Sequence, residues 1–199
     1  MDEVDKAQDE LESWFEESVL AHAVRVDFDK LDTFHMEAAN SVFADVVLRA
    51  DEQEEDMPKD APLGWKPQAV FYPAHKAMLR SEFFKVMFTS SFREGQKRTS
   101  DEPLQVIPLG FSPQILELVL RFLYSDKVKV PLEDALDTLY AADQLLIERL
   151  KTRTTMIIST LGNAGLPADG PDREGYHVYD VVRAGWETRQ RKLEEFGAK

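Results

Sequence analysis

The side chains that carry most enzymatic chemistry are sparse in this 199-residue chain. It has no cysteine, which removes disulfides, thiolate zinc ligation and thiol catalysis in one step. The four histidines, His22, His35, His75 and His177, are far apart in sequence, and none stands in a His-Glu-x-x-His spacing. No Gly-rich phosphate loop and no Gly-x-Ser-x-Gly turn occurs. The sequence therefore points to no catalytic centre, no cofactor site and no metal site, and an enzyme is not expected. Acid pairs such as Glu54-Glu55 read as solvated charge, because a general acid/base pair needs burial to split its pKa values. His75, just after a strand and at the start of a helix, reads as a hydrogen-bonded structural residue. The Met and Phe stripe over 78–88 reads as core.

What remains is the chemistry of recognition. Phe92 is an apolar residue in a polar loop, 89–102. It is either an anchor for a partner's groove or a cap on its own core, and exposed aromatics are typical interface hot spots. Glu94, two residues on, is placed to orient such a contact. Leu11, Trp14 and Phe15 lie on an acidic helix. That arrangement suits insertion into a groove with a basic rim; the other reading is that the helix packs on its own domain.

The charge is lopsided: 37 acids against 24 bases, a net of −13. Residues 1–17 hold eight acids and one base (Lys6), and residues 51–60 hold six acids and one base (Lys59). These segments contribute −7 and −5, which leaves −1 for the other 172 residues. The expected picture is a nearly neutral body with two acidic segments hanging off it, the second solvated and mobile. Acidity argues against nucleic-acid backbone binding, which needs clustered Lys and Arg. No apolar run approaches the ~20 residues of a membrane span, and the acidic N-terminus lacks the apolar region of a signal peptide. At 43% hydrophobic and 10% aromatic the chain is not disordered. A soluble intracellular protein is the expectation, cytoplasmic, with the nucleus also open to it.

Periodicity supplies the elements that would position these residues. An amphipathic helix is expected over 4–21, a short strand over 24–28 and a second short helix around Leu31–Ala38. Residues 42–49 are β-branched and strand-like, and 69–72 read as the partner strand. The intervening charged stretch is longer than ordinary connections. A helix is expected over 74–88 and a strand over 104–109. Ser112-Pro113 reads as N-cap and first helical residue, opening a buried helix to about Tyr124. Further helices are expected over 131–146 and 147–161, the last ending at Gly162. Residues 163–175 read as a linker. A final helix over 176–196 has Tyr179, Val182, Trp186 and Leu193 near one face. It reaches Lys199 without a stop signal, so the chain is expected to continue in a longer protein.

Four segments, in order and on these elements, carry a family resemblance. They are Phe43-Ala44-Asp45-Val46-Val47-Leu48; the run from Phe71 to Phe88 with Ala74-His75-Lys76 and Arg80-Ser81 inside it; Phe122-Leu123-Tyr124-Ser125-Asp126; and Ala141 to Leu150. Together they resemble the BTB/POZ domain over about 41–161. The resemblance implies an α+β fold, a small mixed sheet flanked by α-helices, here with an N-terminal helix and a C-terminal helical extension. Asp45 and His75 are its structural signature residues. The implied organisation is an acidic helical extension over 1–40, the domain over 41–161 with an acidic insertion at 51–67, a linker at 162–175, and a helical extension over 176–199. The insertion and the C-terminal part look like the fungal proteins that join ankyrin repeats to BTB domains.

The resemblance also implies function. BTB domains are protein–protein interaction modules without catalysis or cofactor, and they commonly homodimerise. Many bind cullin-3 as substrate adaptors of ubiquitin ligases, through a hydrophobic-x-Glu tripeptide just past the central helix. Phe92-Arg93-Glu94 stands at that place. The alternative is a scaffold that binds itself or a dedicated partner without a ligase link. Residues 30–41 lack the long Leu-rich dimerisation helix of other members, which puts the usual swapped dimer in doubt.

Overall fold

The computed structural model describes residues 3–35, 43–54, 57, 61–90, 103–161, 176 and 178–194. It divides into two compact units, residues 1–80 with 84–127, and residues 81–83 with 128–199.

The first unit is built on a four-stranded sheet: β1 (Val24–Asp27), β2 (Val46–Asp51), β3 (Gln68–Ala74) and β4 (Val106–Pro108), in the order β1-β3-β2-β4. β3 runs antiparallel to both neighbours, with Val24 opposite Phe71 and Val46 opposite Ala74. β4 is parallel to β2, Val47 opposite Val106. β2 and β3 are central strands, and their near-continuous apolar runs are buried on both faces. On one face Val26, Val47, Ala69 and Phe71 join Ala44 and Leu104, with Leu31 and Phe34 packed against them. The Phe34 and Phe71 rings lie 4.5 Å apart. Alternate residues point the other way, where the Tyr72 hydroxyl donates to Glu117 at 2.7 Å. Glu117 belongs to α3 (Pro113–Ser125), which Ser112 caps by accepting the Ile115 N–H. α1 (Glu3–Ser18) packs along α3 and is followed by a 3-10 turn, Leu20–His22.

Three expectations are corrected in this unit. The helix expected from residue 74 begins only at Glu82, as α2 (Glu82–Thr89). The ladder holds Pro73 and Ala74 extended, opposite Val47 and Val46. The short helix around Leu31–Ala38 is a 3-10 segment, Phe28–Thr33, and residues 36–40 lie outside the described residues. The acids that open the 51–60 stretch are not loose charge. Asp51 pairs with Arg49 at 2.7 Å, and Glu52 is buried. Glu52 accepts the Gln68 N–H at 3.0 Å and pairs with Arg25. Both acids finish the sheet. Residues N-terminal to β2 also contribute to the sheet, since β1 is one of its edge strands.

In the second unit α4 (Ala135–Gln144) packs on α5 (Glu148–Leu161), and α6 (Val178–Glu187) on α7 (Arg191–Glu194). The helix expected from Pro131 starts at Ala135 after a turn, with the Ala135 N–H donating to Leu132 O at 3.1 Å. Tyr176 pins that turn by accepting the Leu136 N–H and donating to Leu132 O. The single helix expected over 176–196 is two. Arg189 has φ 56, and the Gln190 N–H donates to Gly185 O at 2.7 Å, a Schellman stop without glycine. Leu146 (φ 53) ends α4 the same way, with the Ile147 N–H donating to Ala142 O at 2.8 Å. The hairpin also changes which face of α6 is inward. Val181, Ala184 and Leu193 are buried, whereas Tyr179 and Trp186 are 82% and 72% exposed.

Gly185 lets α7 approach. A Cβ there would lie 2.8 Å from the Glu194 backbone N and 2.9 Å from Leu193 Cβ. Backbone cannot swing aside as a side chain can, so Gly185→Ala is expected to cost about 1–3 kcal/mol. A thermal melt should show a midpoint lower by several degrees; an unchanged midpoint would refute the close approach.

Candidate interaction site

The turn after β3 is where the sequence concentrates its signature residues, and the structure shows what they do. Asp45 precedes β2. Its Oδ1 accepts the Lys76 N–H at 2.8 Å, and its own N–H donates to Ala74 O at 3.1 Å. His75 is buried. The Tyr124 hydroxyl oxygen accepts the His75 backbone N–H at 3.0 Å and lies within hydrogen-bond distance of His75 Nδ1, at 2.9 Å. Burial pushes the Tyr124 phenol well above its ordinary pKa, with the Asp45 charge acting in the same direction. Tyr72 is raised likewise, by burial first and then by its bond to Glu117. His75 and Asp45 are thus framework: they tie the turn to α3 and β2. Past the turn, Lys76 lies over the Phe88 ring at 5.0 Å.

Trp14 and Phe15 extend this framework to α1. The Trp14 ring centroid is 4.9 Å from His75 and 5.7 Å from Tyr124, and Phe15 is 5.0 Å from Tyr124. Phe15 is fully buried, so it has no surface to offer a partner's groove. Of the three helix residues, Leu11 alone keeps substantial exposure, at 37%. The aromatic pair anchors the helix to its own unit.

Charge holds the rest of α1. Asp5 and Asp9 are four residues apart, as are Glu12 and Glu16, so each pair repels on one helix face. One cation resolves each pair. Arg121 Nη1 lies 2.7 Å from Glu12 and 2.8 Å from Glu16, and Lys127 Nζ lies 2.9 Å from Asp9 and 3.6 Å from Asp5. Burial of Arg121 works against its charge, but its bonds to Glu16 and Glu12 outweigh that and raise its pKa. Lys127 is raised chiefly by Asp9. Neither cation was legible as a partner of α1 in the sequence. The i, i+4 acid pairs were the signal, but nothing in sequence said which bases would face them.

Phe92, Arg93 and Glu94 lie outside the described residues; they begin three residues after the end of α2 at Thr89. Among the described residues no cluster of His, Asp or Glu is arranged to hold a metal ion, and no helix is long and apolar enough to cross a membrane.

Two substitutions probe the framework. Tyr124→Phe removes the acceptor of a buried backbone N–H and should cost roughly 1–3 kcal/mol, with a change in Trp14 fluorescence. Denaturant titration measures the first; a loss near zero would deny the hydroxyl its role. Arg121→Ala frees two carboxylates and removes the cation lying 5.6 Å from the Phe15 ring. A loss of about 1 kcal/mol is expected at low salt, shrinking as salt is raised. A salt-independent loss would mean that packing, not charge, carries the contact.

Residues 66–161 match the sequence model of the BTB/POZ domain, ending where α5 ends. An ankyrin repeat-containing protein of Saccharomyces cerevisiae is 36% identical over 138 residues, covering 64% of this chain and 25% of its own length. BTB/POZ domain-containing protein 3 of Schizosaccharomyces pombe is 33% identical over 129 residues, covering 64% of this chain and 22% of its own length. The chain thus spans a quarter or less of the length of these relatives. The BTB domain of zebrafish PATZ1 superposes with a TM-score of 0.40 at 25% identity, over 58% of this chain and 75% of that one. With a mixed four-stranded sheet among helices and this match running from just before β3 to the end of α5, residues 66–161 are identified as a BTB/POZ domain, a family of protein–protein interaction modules.

Proposed function

We propose that this chain is a BTB substrate adaptor that recruits cullin-3, in the cytoplasm or nucleus, while another region holds the substrate. The observation that carries the reading is the position of Phe92-Arg93-Glu94. This hydrophobic-x-Glu tripeptide follows α2 within the stretch that matches the BTB/POZ domain. Phe92 supplies the apolar anchor, and Glu94 orients it by hydrogen bonding or charge. Aromatic anchors of this kind dominate interface energies when a pocket desolvates them fully.

Calorimetry with the purified cullin-3 N-terminal domain tests the proposal. Phe92→Ala and Glu94→Ala should each weaken binding by about 1–2 kcal/mol, or roughly 5–30-fold in Kd, with unchanged thermal melts. Unchanged affinity in both variants would sink the tripeptide assignment. Absence of any complex by size exclusion with light scattering would sink the ligase reading and leave the scaffold reading, in which the chain binds itself or a dedicated partner.

A further inference from the structure

Along α1 the residues Val4, Ala7, Leu11, Phe15 and Ser18 follow one another at spacings of three and four, so they form a single row on one helix face. The C-terminal end of that row is covered: Phe15 and Ser18 are buried. The N-terminal end is not. Val4 is 62% exposed and Leu11 37%, and Ala7 is exposed as well. The seam that fixes the helix to its unit therefore runs on for two turns without cover. Those two turns are held by the Asp5 and Asp9 contacts to Lys127.

The two flanks of the open seam differ. On one, Asp5, Asp9, Glu12 and Glu16 are engaged by Lys127 and Arg121. On the other, Glu3, Glu10 and Glu17 recur every seven residues and are all exposed. Among the described residues Glu10 has one loose ion pair, with Lys6 at 3.8 Å, and Glu3 and Glu17 have none. An apolar row with small Ala7 at its centre and a file of exposed carboxylates beside it has one complementary surface. That surface is a helix with its own apolar row and cations along one edge.

We propose that α1 docks a basic amphipathic helix of a partner protein along its open side, with Val4, Ala7 and Leu11 as the apolar floor and Glu3, Glu10 and Glu17 as the charged rail. The site uses none of the residues assigned to cullin-3, and the proposal does not rest on that reading. It also relocates the interaction surface of the helix: Trp14 and Phe15 hold the helix down, and the residues N-terminal to them remain open.

The test uses the full chain and two synthetic 18-residue helical peptides with the same Leu/Ala seam, one flanked by Arg and the other by Glu. Calorimetry at low salt should show the Arg peptide binding at least tenfold more tightly than the Glu peptide, with affinity falling steeply as salt rises. Val4→Ser with Leu11→Ser should weaken the Arg peptide at least tenfold while the protein still melts cooperatively, because Phe15 and the Arg121 and Lys127 ion pairs that anchor the helix are untouched. Glu3→Gln, Glu10→Gln and Glu17→Gln together should remove most of the salt dependence. Equal binding of the two peptides, an unaltered affinity in the Val4/Leu11 variant, or no binding up to ~1 mM would each overturn the proposal. So would sedimentation showing a wild-type dimer that the Val4/Leu11 variant loses, since the occupant would then be a second copy of this chain.

Discussion

The hydroxyl of Tyr124 is the point on which the first unit is hung. It takes the backbone N–H of His75 where the chain leaves β3, and it meets the imidazole of the same residue. Without it a buried amide would lack a partner, which is costly in a low-dielectric interior. The bond fixes the end of the central strand against the C-terminal turn of α3. That in turn sets the ring surface on which Trp14 and Phe15 rest. Asp45 does the same from the other side by capping Lys76. The family resemblance in Ala74-His75-Lys76 and in Phe122-Leu123-Tyr124 is therefore two halves of one contact. Asp126 closes the second segment with φ 58, a left-handed residue of a type that tolerates it.

The acidity of the chain has a local physical meaning. Acid pairs four residues apart would repel along α1, yet one cation each, on or just past α3, turns them into two clamps. Glu52 is drawn inward by Arg25 and the Gln68 amide rather than left to solvent. The net charge of −13 is a sum over groups with different tasks: some align a helix, some finish a sheet, and some remain at the surface as a rail.

The second unit shows how helix ends are made without the residue that usually marks them. Leu146 and Arg189 both occupy the left-handed region, which costs a β-carbon-bearing residue about 1–2 kcal/mol. Each is tolerated because the following amide reaches back to close the helix, at Ala142 and at Gly185. Burial of Ile147 and Leu193 beside these stops offsets the strain. The result turns an apolar pattern that looked continuous into a hairpin.

Much of this was legible in the sequence. The β-branched runs of β2 and β3, the Ser112-Pro113 start of α3 and the four ordered signature segments depend on local propensity and spacing. Those survive in any folded context, so they located the domain and its fold class. The start of α2, the break at Arg189 and the inward face of α6 were not legible. Each was decided by a partner distant in sequence: the β2 ladder for Ala74, the α7 backbone for Gly185. The division of labour on α1 belongs to the same class. Its period predicted one apolar row, but only the position of His75, Tyr124, Arg121 and Lys127 in space decided which part of that row is anchored and which is open. Periodicity specifies a face; what lies opposite it is set by the rest of the fold.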